Sequence, residues 1–103
     1  MSTYFVSFTL EDTTVGGRDY NARWGDIYDA IHAISTRYWE STAAFIAFES
    51  DEAIRSVTQA VKDAIAPTTD TALIRSMDAK EARIVGVILD EDIFQIMPYL
   101  KRG

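Results

Sequence analysis

Residues 37–48 read RYWESTAAFIAF, and how this stretch folds decides the architecture. It is rich in aromatic and other β-forming residues, with small residues at Ser41–Ala43 in its middle. That pattern predicts two strands, or one long bent strand, turning around Ser41–Ala43. Successive side chains on a strand point to opposite faces. Tyr38 and Trp39 are therefore expected on different sides of a sheet, with one of them in the core.

The flanking segments supply the partners of such a hairpin. Upstream, Tyr20, Trp24, Ile27, Tyr28, Ile31 and Ile34 recur at three- and four-residue steps, which is one face of a helix over 20–35. Asp19 is placed to cap it. Gly25 weakens it by roughly 1 kcal/mol relative to alanine, so either packing compensates or the helix starts nearer Asp26. Before it, TYFVSFTL (3–10) alternates with Tyr4, Val6, Phe8 and Leu10 on one side, as a strand does. EDTTVGGRD between the two reads as a loop.

Downstream, Ile54, Val57, Val61, Ala64 and Ile65 form the apolar stripe of a second helix that stops at Pro67. Ser50 is its expected N-cap, with Asp51 and Glu52 at the positive end of the helix dipole. ALIRSM (72–77) and IVGVIL (84–89) read as strands. DEDIFQIMPYL reads as a short helix capped by Asp90, with Ile93, Phe94 and Met97 inward, followed by a basic tail, KRG. The expected fold is a single domain over 1–103: an α+β, ferredoxin-like β-α-β-β-α-β sandwich with an extra C-terminal strand and short helix.

Composition excludes several chemistries. Without cysteine there is no disulfide, thiolate metal site or cysteine nucleophile. No apolar run reaches the length of a membrane span, and MSTYFVSF lacks the layout of a secretory signal. A cytoplasmic protein is expected. The net charge of −6 argues against broad, non-specific DNA binding, which needs lysine and arginine against phosphate.

Candidate functional residues are few. Glu11 and Asp12 follow the first strand, and Asp90, Glu91 and Asp92 follow the last; carboxylates at strand ends can gather around magnesium. The same acids are ordinary in a loop and at a helix start, and no calcium-loop motif exists. His32, the one histidine, falls at the edge of the helical stripe and is expected at the surface or its boundary. Gly16–Gly17 does not match a phosphate loop, although Arg18 beside it has the chemistry to hold a phosphate. Arg37 and Trp39 have the chemistry of a nucleic-acid contact, but the interleaved basic and aromatic RNA-recognition signature is absent.

The runs YFVSFTL, RDY, IYDAIHAI, YWEST and SDEAIRSVTQAVKDAI, over about residues 4–75, resemble the small SinR-like proteins related to the CRISPR-associated spacer-acquisition nuclease. The resemblance implies a ferredoxin-like protomer that forms a homodimer, with a C-terminal strand able to extend the partner's sheet. It also implies an aspartate at the end of the first strand as a metal ligand. In this chain that position is Thr9. A neutral hydroxyl does not supply the charge that holds magnesium against water.

The expected function is therefore a non-catalytic dimeric protein of the CRISPR-nuclease-like or antitoxin-like type, acting by protein or RNA binding through residues such as Arg18, Arg37 and Trp39, with no cofactor. Two alternatives stay open. One is a magnesium-dependent endonuclease using Glu11 or Asp12. The other is an acidic inhibitor that mimics nucleic acid.

Overall fold

A computed structural model describes residues 1–103. The elements are β1 (Ser2–Thr9), α1 (Tyr20–Ile34), β2 (Arg37–Trp39), β3 (Phe45–Ser50), α2 (Ile54–Ala64), β4 (Thr71–Ser76), β5 (Ala82–Gly86), α3 (Ile93–Ile96) and β6 (Leu100–Arg102). The strands form one sheet in the order β2-β3-β1-β4-β5-β6. Neighbours are antiparallel except β5 and β6, which run parallel. The α+β, ferredoxin-like arrangement expected from the sequence is what the chain adopts, with α1 and α2 packed together on one side of the sheet. No helix is long and apolar enough to cross a membrane.

Alternation decides which side of each strand is buried. Tyr4, Val6 and Phe8 of β1, Ile46 and Phe48 of β3, and Ala72 and Ile74 of β4 face the helices. They meet Ile27 and Ile31 of α1 and Val57 and Val61 of α2 in the main core. Burying each large apolar side chain contributes about 1.5–3 kcal/mol, which is how α1 tolerates Gly25 within it. The helix does begin at Tyr20, and Asp19 caps it by accepting from the Ala22 N–H at 2.7 Å.

A second, smaller cluster lies on the other face. Ala82, Ile84 and Leu100 are buried there, with Leu73, Ile88, Ile93, Phe94, Met97 and Tyr99 packed around them. α3 thus covers the β5–β6 end of the sheet, and Ile93, Phe94 and Met97 do face inward.

Several expectations need correction. Ser50 does not cap α2: it ends β3, buried, donating from Oγ to the Ile34 carbonyl at 2.6 Å and accepting from the Glu52 N–H at 3.0 Å. α2 starts three residues later, behind Ala53, which offers no side-chain cap. Asp90 does not cap α3 either; its carboxylate accepts from the Asp92 N–H at 3.0 Å, closing a local turn. The IVGVIL strand ends at Gly86, whose φ of 90° turns the chain where any side chain would collide with the Asp70 carbonyl. Leu89 is consequently 94% exposed. The supposed basic tail is a strand: Leu100–Arg102 pairs in register with Ala82–Ile84, and the Gly103 N–H reaches the Ile84 carbonyl at 2.8 Å.

Candidate functional site

The hairpin of residues 37–50 resolves into two strands joined by a turn that places Ala44 at a φ of 56°. Tyr38 and Trp39 point to opposite faces, as the alternation requires, but neither is in the core. They are 47% and 50% exposed, because β2 is a three-residue edge strand with nothing beyond it. Tyr38 stacks on the His32 ring, with centroids 4.0 Å apart. His32 continues an aromatic series along α1 through Tyr28, Trp24 and Tyr20. His32 Nε2 also lies 2.8 Å from a Glu40 carboxylate oxygen. Burial first, then the Glu40 charge, pushes the Tyr28 hydroxyl up from its ordinary value. Together these contacts clamp β2 to α1.

Trp39 has a different environment on the open face. Its register partner is Ala47, which pairs with Phe5, which pairs with Arg75. One cross-strand row thus runs Trp39–Ala47–Phe5–Arg75. Phe45, one step along β3, meets both larger rings: its centroid is 5.3 Å from Phe5 in a stacked arrangement and 6.2 Å from Trp39 edge-on. Phe5 and Phe45 are half-buried. α3 does not reach this half of the sheet, so the three rings form an uncovered aromatic surface. Beside it, Thr3, Arg37, Ala47 and Glu49 help to line a depression of about 480 Å³ that includes Trp39.

Arginines border the rings. Arg37 Nε donates to Glu49 Oε1 at 2.6 Å with its side chain 80% exposed, and its two Nη nitrogens have no partner in the chain. Arg75 lies over the Tyr99 ring at 5.0 Å and donates to the Ser76 and Ala79 carbonyls. At the covered end, Arg102 lies over Phe94 at 4.7 Å and pairs with Glu91.

The other sequence candidates lie elsewhere. Arg18 Nη1 donates to Asp26 at 2.7 Å and to the Ala64 carbonyl at 2.9 Å, and Nη2 to the Ile65 carbonyl at 3.3 Å. Its guanidinium therefore satisfies the end of α2 and ties the loop to the helical layer, apart from Arg37 and Trp39. Glu11 and Asp12 are exposed but line different depressions, Glu11 with Thr9 and Thr69, Asp12 with Asp19 and Asn21. No three His, Asp or Glu side chains stand together as a metal site would require.

The separation of Glu11 from Asp12 has a structural cause in Arg23, which sequence reasoning overlooked. Arg23 is fully buried and donates from Nε to Asp70 at 2.9 Å, from Nη1 to the Thr13 and Arg18 carbonyls, and from Nη2 to the Glu11 carbonyl at 2.7 Å. Asp70, also fully buried, accepts from the Glu11 and Ala66 N–H groups and the Thr69 hydroxyl. The backbone of the 11–18 loop is held inward and its acids turn out. A signal was present: Arg23 falls four residues before Ile27 and eight before Ile31, on the helix's most buried line.

No family model matches the chain, and no curated protein or solved structure matches it. The geometry itself defines a small α+β, ferredoxin-like protein with aromatic residues on an uncovered half of its sheet.

Proposed function

We propose that this chain is a non-catalytic binding protein of the CRISPR-nuclease-like or antitoxin-like type, working as a homodimer that holds its ligand against the open face of the sheet. The observation that carries this reading is the uncovered group Trp39, Phe45 and Phe5. Exposing such rings to water is unfavourable, and a contiguous apolar patch rimmed by polar groups is the usual mark of a contact surface. The sequence resemblance supports the dimer and Thr9 supports a lack of nuclease chemistry. The C-terminal strand lies along this chain's own β5, so pairing would use another surface than the exchange of that strand.

The test has two measurements. RNA and DNA are incubated with the protein and magnesium, alongside a Glu11→Ala, Asp12→Ala double variant. Cleavage by the wild type that the variant abolishes would overturn the non-catalytic reading. Sedimentation velocity at micromolar concentration checks the dimer, and a monomer there removes that part of the proposal.

A further inference from the structure

The open face has the chemistry to select one class of ligand. Its three rings are flat, close together and presented from β1, β2 and β3. Stacking on such rings suits any nucleobase, since every base has a π-face. The outward strand positions across the whole sheet carry Arg37, Arg75 and Arg102; Glu49 pairs with Arg37 and Glu91 of the covered end with Arg102, so Arg75 is the one arginine of the face without a carboxylate partner. That local excess of positive charge sits in a chain whose net charge is −6. A phosphate backbone therefore meets less repulsion on this face than on the acidic surface as a whole.

We propose that the uncovered half of the sheet binds single-stranded nucleic acid, with bases stacked on Trp39, Phe45 and Phe5 and phosphates held by the free Nη groups of Arg37 and by Arg75. Unpaired bases are required because a duplex hides its π-faces within the stack. Ala47 separates Trp39 from Phe5 in the row and keeps the floor low between them. The depression beside Trp39 places one base within reach of the Arg37–Glu49 pair. The proposal rests on the reading of the open face as the binding surface and adds the identity of what binds.

The experiment is a fluorescence-anisotropy titration of labelled oligouridylate, oligothymidylate and a duplex of equal length with the full chain. Binding of a single-stranded probe in preference to the duplex is expected, and the two single-stranded probes distinguish RNA from DNA. Trp39→Ala is expected to weaken binding roughly fivefold to a hundredfold, the usual effect of removing one stacking ring. Trp39→Phe should keep most of the affinity, because the π-face remains. Trp39 is half exposed on an edge strand, so the variant should fold, and circular dichroism checks this.

A duplex bound as tightly as either single strand, no binding of any probe, or binding that Trp39→Ala leaves unchanged would overturn the assignment. Sedimentation of wild type and Trp39→Ala without nucleic acid then locates the error. A dimer dissociated by Trp39→Ala, with no probe bound, means that the face binds a second copy, so the ligand class is wrong and the contact surface stands. If neither binding nor assembly responds to Trp39, both readings fall.

Discussion

Arg23 and Asp70 show what one buried pair can organise. Each is fully buried, and between them they satisfy backbone groups of Glu11, Thr13, Arg18 and Ala66. An ion pair taken out of water is often replaceable by apolar residues of similar size. Here that exchange would leave the Glu11 and Ala66 N–H groups and the Thr13 carbonyl without a partner in the chain, at a cost of up to about 1–3 kcal/mol for a buried group, while the Glu11 and Arg18 carbonyls keep the Thr13 and Val15 N–H groups. Arg23→Met is expected to destabilise the fold by about 3–5 kcal/mol, since it strands the Asp70 carboxylate. Adding Asp70→Leu should not restore the loss. Urea unfolding of both variants checks this, and recovery in the double variant would show that the backbone contacts matter little. The pH dependence has a definite sign. Burial alone pushes the Asp70 carboxyl up, but hydrogen bonds from Arg23, from the Ala66 and Glu11 N–H groups and from the Thr69 hydroxyl outweigh it and hold the group below its ordinary value. The resulting stability is present above the unfolded-state value near about 3.9 and disappears as pH falls from there through the folded-state value. Wild type should therefore lose stability below about pH 4 more steeply than Asp70→Asn does.

Among the elements, β6 is the one whose removal should tell most. Leu100 is 6% exposed in the small cluster with Ala82 and Ile84. Leu100→Ala is expected to cost about 2 kcal/mol, the low end for a buried leucine because the cluster is small and near the surface. Hydrogen exchange should speed up at Gly103, whose N–H reaches the Ile84 carbonyl. A frayed tail would instead show a change within about 0.5 kcal/mol. The sequence could not reveal this strand: Leu-Lys-Arg is too short to show a period, and its pairing partner lies nearly twenty residues earlier. β1, α1 and α2 were legible because their apolar spacing persists over two turns or more of helix or several strand residues. Ser50 misled for another reason. Ser-Asp-Glu before an apolar stripe matches a helix start, yet Ser50 instead meets the Ile34 carbonyl. Local rules name good caps but cannot see a competing acceptor brought in from α1. The candidate site was legible only in part. Trp39 and Arg37 were visible as candidates, but Phe5 and Phe45 join them only through the register of three strands.

At the scale of the whole molecule, the distribution of charge makes a prediction distinct from the stacking test. The chain carries 16 acidic and 10 basic residues, so a bound strand can contact few cations without meeting carboxylates. Each phosphate neutralised on a single strand contributes a slope of about −0.7 to the plot of log affinity against log salt. Contacts to Arg37 and Arg75 alone give a slope between about −1 and −2, shallow beside that of proteins with extended basic tracts. Stacking is nearly indifferent to salt, so the two contributions separate cleanly. Arg37→Gln should flatten the slope by about 0.7 while leaving affinity at high salt almost unchanged. Trp39→Ala should do the opposite, weakening binding at every salt concentration with the slope preserved. Anisotropy titrations between about 50 and 200 mM salt measure both. A slope as steep as about −4 would place the phosphates along a basic surface other than this face, and a slope lost with Trp39 rather than with Arg37 would exchange the roles assigned to the two side chains.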